Sequence, residues 1–135
     1  PQALFIEKAF KNKEIEIHGD GLQTRTFTFI EDTVDGFFRA VTMREAVNDI
    51  FNVASEPDEE ITIIGLANFI WKMVNGTDKA KVKFIPYATF GNYEDVRRRV
   101  PDITKIKAKL GFSPSYNLES GMRKTIEWQK NLMNY

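Results

Sequence analysis

The sequence predicts an α+β fold in which helices pack around short strands. Three observations point that way. Apolar residues recur every three or four positions in several stretches, at the period of a helix. Between them lie short runs of alternating or β-branched residues, at the period of a strand. Glycine, proline and Asx residues punctuate the junctions, and no strand-like run is long enough for a large sheet.

The elements follow in chain order. Leu4, Phe5, Ala9 and Phe10 space a helix over residues 2 to 11. Glu14 to Ile17 alternates polar and apolar as a short strand, broken by the turn signal Gly19-Asp20-Gly21. Thr24 to Ile30, "TRTFTFI", alternates again and is expected to be a second strand. A helix follows, with Asp32 as its N-cap and Val34, Phe37, Phe38 and Val41 as its inward face. Asp49 to Ser55, "DIFNVAS", is expected to be a short buried strand. Thr62 caps the next helix, Leu66, Phe69, Ile70 and Met73 form its apolar stripe, and Gly76 ends it.

"KVKFIPY" is a further strand, stopped by Pro86. Residues 88 to 100 carry few apolar anchors and are expected to be loop. Asp102 caps a helix with Ile103, Ile106 and Leu110 inward and Lys105, Lys107 and Lys109 outward; Gly111 closes it and Pro114 keeps it closed. Asn117 caps the last helix, with Leu118, Met122, Ile126 and Met133 near one face.

Composition limits the function classes. The 135 residues suggest one domain, and 42% hydrophobic content suffices for a core. Nineteen basic residues balance nineteen acidic ones, so no general nucleic-acid binding is expected. There is no cysteine, which excludes disulfides and thiolate chemistry and fits a cytoplasmic protein. No run approaches the ~20 apolar residues of a membrane span, and no signal-peptide pattern is present. The chain opens inside a helical pattern, as if cut from a longer protein.

Catalytic constellations are not evident. His18 is the single histidine, which excludes a two-histidine metal site, and its place beside a Gly-Asp-Gly turn suits a strand-end residue. Carboxylates cluster at Glu31/Asp32, Asp58/Glu59/Glu60 and Glu94/Asp95, the middle group suiting a solvated loop before a helix. Neither a Gly-rich phosphate loop nor a Tyr-x-x-x-Lys pair occurs.

Anion binding has more support. In an extended "TRTFTF", Arg25 shares a face with Phe27 and Phe29, where an unpaired charge costs desolvation. It requires either a carboxylate such as Asp32 or a ligand phosphate, which its guanidinium fork fits. Arg97, Arg98 and Arg99 stand together before Pro101-Asp102. In extended backbone Arg97 and Arg99 share a side and Arg98 opposes them, so at most one or two converge on one ligand. Glu94, Asp95 and Asp102 are alternative partners for the cluster.

"GDGLQTRTFTFIEDTVDGFFRA", "FNVAS" before the Ile64-Gly65-Leu66-Ala67 helix, and "RRRVPDITKIKAKLGFSPSYNLESGMRKTIEW" resemble, in that order, the C-terminal half of extended short-chain dehydrogenase/reductases. These are the NAD-dependent nucleotide-sugar epimerases, dehydratases and decarboxylases, and the resemblance covers nearly the whole chain. It implies that residues 1–135 are the nucleotide-sugar substrate-binding domain of a larger enzyme, without its Rossmann half. NAD would be bound by the absent N-terminal domain and none by this part. No catalytic residue would lie here, and the parent would be a homodimer acting on a nucleotide-diphosphate sugar.

The resemblance also assigns roles. Arg25 in "QTRTFTF" matches an arginine on the diphosphate, and Arg98 or Arg99 supplies a second, with the register open. Asp95 matches an acidic ribose contact. His18 in "IEIHGDG" stands where an aromatic usually borders the nucleobase, and Phe29 stands where a tyrosine is common. The arginine run would lie beside a helix N-terminus whose free N–H groups favour anions. The alternative is a stand-alone, non-catalytic nucleotide- or anion-binding module of the same fold.

Overall fold

The computed structural model describes residues 1–90 and 95–134. Among them are five α-helices and five short strands, the mixed helix-and-strand architecture expected. Two compact units divide the chain. The first holds Pro1–Arg25, Ile61–Arg98 and Met122–Tyr135, and the second holds Thr26–Glu60 and Arg99–Gly121.

In the first unit, α1 (Gln2–Phe10) buries Phe5, Ile6 and Ala9 and packs on α3 (Ile63–Asn75). Their interface is apolar because α3 buries Ile63, Leu66, Ala67, Ile70 and Trp71 along one stripe. β1 (Ile15–His18) alternates, with Ile15 and Ile17 buried and Glu16 and His18 exposed. It pairs in parallel with β4 (Val82–Ile85), Ile15 opposite Val82 and His18 opposite Ile85. The sequence-predicted limits of α3 hold. Thr62 Oγ1 accepts from the Gly65 N–H at 3.0 Å, and Gly76, at φ 73°, ends the helix with its N–H donated to Lys72 O.

β2 is two residues, Thr24–Arg25, and not the seven-residue strand expected from "TRTFTFI". Its antiparallel partner β3 (Ile61–Thr62) is preceded by a 3₁₀ turn, Pro57–Glu59, in the stretch that would face Phe27 and beyond, so the ladder does not continue past Arg25. On its other side β2 borders β5 (Arg98–Arg99), with the Thr24 N–H donated to Arg97 O at 2.8 Å. Residues 88 to 100 are therefore not all loop. They include this edge strand and the end of a 3₁₀ turn, Tyr87–Phe90; Glu94 and the rest of 91–94 lie outside the described residues.

In the second unit, α2 (Ile30–Thr42) turns the opposite face inward from the one its pattern suggests. Val34, Phe37, Phe38 and Val41 are exposed, Val41 at 81%. The inward stripe is Asp32, Gly36 and Ala40, one residue per turn. Gly36 is required there: a Cβ would lie 2.4 Å from Val53 Cγ1. The close approach of residues 51–54 thus selects small side chains and leaves the large ones outside.

Asp32 is not the N-cap either. That position is Phe29, with no side-chain cap, and Asp32 lies in the first turn at 3% exposure. Its two carboxylate oxygens accept from the backbone N–H groups of Ser115 (2.8 Å) and Tyr116 (3.2 Å). Residues 49–55 form no strand among the described residues. The Ser55 N–H is donated instead to Thr28 Oγ1 at 2.9 Å.

Below this segment, Ala46, Ala54, Ile103, Ile106, Leu110 and Phe112 make a core. α4 (Thr104–Leu110) contributes Ile106 and Leu110 as expected, and Asp102 Oδ1 accepts from the Thr104 N–H at 2.8 Å. Gly111, at φ 60°, closes α4, and Arg39 donates to Leu110 O and Gly111 O, satisfying carbonyls at that end. α5 (Leu118–Met133) starts with Asn117 Oδ1 accepting from the Ser120 N–H, as its sequence suggested.

Asp32→Ala leaves two half-buried N–H groups without their acceptor. The expected loss is about 2–4 kcal/mol of folding stability, read from urea denaturation, with Asp32→Asn costing less because one acceptor oxygen remains.

Candidate functional site

The first unit assembles a polar cluster around the end of β1 and the start of β2. The sequence dictates its frame. Gly19 and Gly21 adopt φ 72° and 73°, which reverse the chain within three residues. Asp20 between them accepts from the Leu22 N–H at 2.9 Å, an Asx turn. Arg97 Nη1 donates to both Asp20 oxygens, at 2.9 and 2.7 Å. These donors, the Arg97 bond first and the Leu22 N–H next, hold the Asp20 carboxyl below its ordinary range. The pair is exposed, so it orients the loop more than it stabilises the fold.

Arg25 follows two residues after Gln23. Its side chain is 16% exposed and pairs with Asp95, Nη2 donating to Oδ1 at 3.0 Å. Nη1 donates to Thr24 O at 2.7 Å. The carboxylate partner of Arg25 is therefore Asp95, not Asp32, which serves the second unit. Phe29 also belongs to the second unit, its ring 4.6 Å from that of Tyr116, so no strand face joins it to Arg25. Among the described residues, two of the five guanidinium N–H donors are used in this way.

Asp95 is held from its other side. Tyr87 Oη donates to Asp95 Oδ2 at 3.0 Å and accepts from Gln23 Nε2 at 3.1 Å. Gln23 Nε2 also donates to His18 O at 3.0 Å. Gln23 is 5% exposed, and among the described residues its Oε1 is buried with no partner. The His18 side chain is exposed at the end of β1, and its backbone carbonyl joins the cluster.

Arg98 opens β5 in the first unit, Arg99 begins a segment of the second, and both are exposed. The helix after them is a weaker anion donor than expected. α4 has seven residues, and Asp102 already accepts its Thr104 N–H. Two of the acidic residues noted in the sequence have structural uses: Glu31 accepts from Tyr116 Oη, and Glu59 accepts from the Leu118 N–H at 2.6 Å. Among the described residues no three side chains form a metal site. No helix among them is long and apolar enough to cross a membrane.

Sequence reasoning missed Gln23 and Tyr87. Gln23 stood inside a recognised motif without a role, and Tyr87 stood after a strand-ending proline, where nothing in the pattern marks a tyrosine as half-buried against a turn.

The model of the GDP-mannose 4,6 dehydratase family matches residues 3–125. The chain belongs to this family. Its relatives are NAD-dependent nucleotide-sugar epimerases and dehydratases of the extended short-chain dehydrogenase/reductase type. The UDP-N-acetyl-alpha-D-glucosaminuronate decarboxylase of Bacillus cytotoxicus is 32% identical over 133 residues, covering 96% of this chain and 40% of that protein. A UDP-glucose 4-epimerase from Thermotoga maritima, solved with UDP-glucose, is 30% identical with a TM-score of 0.81, over 98% of this chain and 40% of that one. A UDP-glucuronic acid 4-epimerase from Bacillus cereus, solved with NAD, is 25% identical with a TM-score of 0.78, over 97% and 39%. The chain thus spans about 40% of the length of such dehydratase-family proteins, and the fold expected from the resemblance is the one found.

Proposed function

We propose that the chain is the substrate-binding part of an NAD-dependent nucleotide-sugar epimerase/dehydratase, gripping the nucleoside diphosphate of a UDP-sugar. Arg25 supports this most. It is largely buried, pinned by Asp95 and by Thr24 O, and still has donors to offer. A pinned planar fork loses little freedom when it meets a phosphate. The arginine run and the relatives' UDP ligands add support.

In this reading Arg25 contacts the diphosphate, and Arg98 or Arg99 adds a second contact. Asp95 lies toward the ribose, and the His18–Gly19 backbone lies toward the base. The family's chemistry is hydride transfer from a sugar carbon to NAD, followed by rearrangement and hydride return. This part supplies orientation and binding energy. It is inert alone and works in the cytoplasm, in a homodimeric parent.

NAD does not fit the residues present. Among the described residues, the tight glycine turn Gly19–Gly21 leads from β1 into β2 and not into a helix. At α3, the Gly65 N–H is taken by Thr62, and a Cβ on Gly65 would meet Thr62 Oγ1 at 2.8 Å. A Rossmann half of a longer polypeptide would hold the cofactor. The exposed α2 face, with Val34, Phe37, Phe38 and Val41, is a suitable surface for it to cover.

Three results are expected. Calorimetry of the chain with UDP should show binding that Arg25→Ala weakens roughly ten- to hundredfold, from the ~1.5–3 kcal/mol of a charge-assisted bond. Arg25→Lys should recover part of the loss and uridine should be unaffected; equal losses for UDP and uridine would leave Arg25 a structural residue. Titration with NAD should give no saturable heat, and micromolar binding would overturn that assignment. The chain should bind a hydrophobic dye or self-associate, and Phe37→Ser with Val41→Ser should reduce both; an unchanged dye signal would remove α2 as the docking face.

A further inference from the structure

We infer that Tyr87 is a positioning residue of this site: its hydroxyl keeps Asp95 from closing over Arg25 with both oxygens, and so preserves guanidinium donors for the diphosphate. The inference rests on the proposed role of Arg25.

The geometry fixes the direction of each hydrogen bond. Gln23 Nε2 has two protons, one donated to His18 O at 3.0 Å and one to Tyr87 Oη at 3.1 Å. Because Tyr87 Oη accepts from Gln23, its own proton is directed to Asp95 Oδ2, at 3.0 Å. Asp95 is left with Oδ1 for Arg25 Nη2, at 3.0 Å. The carboxylate is thus divided between two donors and makes a single contact with Arg25.

The ring has little freedom to leave. It lies on the turn, where a Cβ on Gly19 would come 2.3 Å from Tyr87 Cε2. Gly19 therefore serves twice, through its positive φ and through the room it leaves for the ring. Gln23, at 5% exposure, is equally fixed. A rigid turn, a buried amide and a phenol together set the angle of one carboxylate.

Without the hydroxyl, Asp95 Oδ2 would have no donor on that side among the described residues. Arg–carboxylate pairs then favour the bidentate fork, with two parallel N–H···O bonds. That geometry would take up donors the diphosphate needs and set a carboxylate against its charge. Tyr87 acts through Asp95 on Arg25 and is not itself a ligand contact.

The test is calorimetry of the full chain with UDP and with uridine. Tyr87→Phe should weaken UDP about five- to tenfold and weaken uridine, which keeps the ribose but lacks the diphosphate, clearly less. In an Asp95→Asn background, which cannot form the bidentate fork, Tyr87→Phe should cost almost nothing. Should Tyr87→Phe fail to melt cooperatively, Gln23→Met, which frees the phenol to turn, should reproduce the pattern at smaller size. An unchanged UDP affinity, a matching loss of uridine, or an equal loss in the Asp95→Asn background would overturn the inference while Arg25→Ala still weakens UDP. If Arg25→Ala leaves UDP binding intact, the parent reading falls and takes this one with it.

Discussion

Four backbone positions govern the first unit: the two-residue pairing of Thr24 with Thr62 and Arg25 with Ile61. On one side of the ladder, Thr62 leaves extended backbone and caps α3. The Ile63 N–H donates to Gln23 O at 3.1 Å and the Ile64 N–H to Gly21 O at 3.0 Å. The orphan donors of a helix start are thereby satisfied by the turn opposite. On the other side, the same short stretch presents Gln23 inward and Arg25 toward Asp95. One pairing therefore starts a core helix and aims the chemistry-bearing side chain. A longer ladder along residues 26–30 would have required an extended backbone where the 3₁₀ turn Pro57–Glu59 stands.

The legible parts of the sequence were those in which one residue's local physics decides the outcome. Thr62 and Gly76 bound α3, Gly111 closes α4, and Asn117 starts α5, because capping and positive φ depend on little else. Register and facing were less legible because they depend on partners. "DIFNVAS" has the composition of a buried strand, but a strand needs a ladder, and the second unit offers Thr28 Oγ1 in its place. In α2 the large apolar residues promised an inward face, yet close packing by Val53 admits only Gly36 there. Hydrophobic periodicity identified the helix and misplaced its face, since a small-residue stripe carries no hydrophobic signal.

The site shows the same division. The motif around Arg25 marked a charge needing company, but could not say which carboxylate would supply it. Asp95 is 70 residues away in sequence, and its contact arises from β5 bordering β2. Tyr87 and Gln23 were silent because their importance lies in the direction of a proton, which no spacing encodes.

The net charge of zero conceals a pattern of local pairing: Arg25 with Asp95, Arg97 with Asp20, Arg39 with Asp35. These pairs differ in what they allow. Arg97 spends one nitrogen on both oxygens of Asp20, and the pair is exposed, where water screens it. Arg39 divides its donors between Asp35 and the carbonyls that end α4, a structural commitment with little left for a ligand. Arg25 alone among these three is largely shielded yet only partly engaged. Screening is weak there, so the ion pair with Asp95 constrains this guanidinium more than an exposed pair constrains its arginine. A neutral protein thus uses its arginines unequally: the exposed pair orients a loop, and the sheltered pair fixes the angle of a guanidinium.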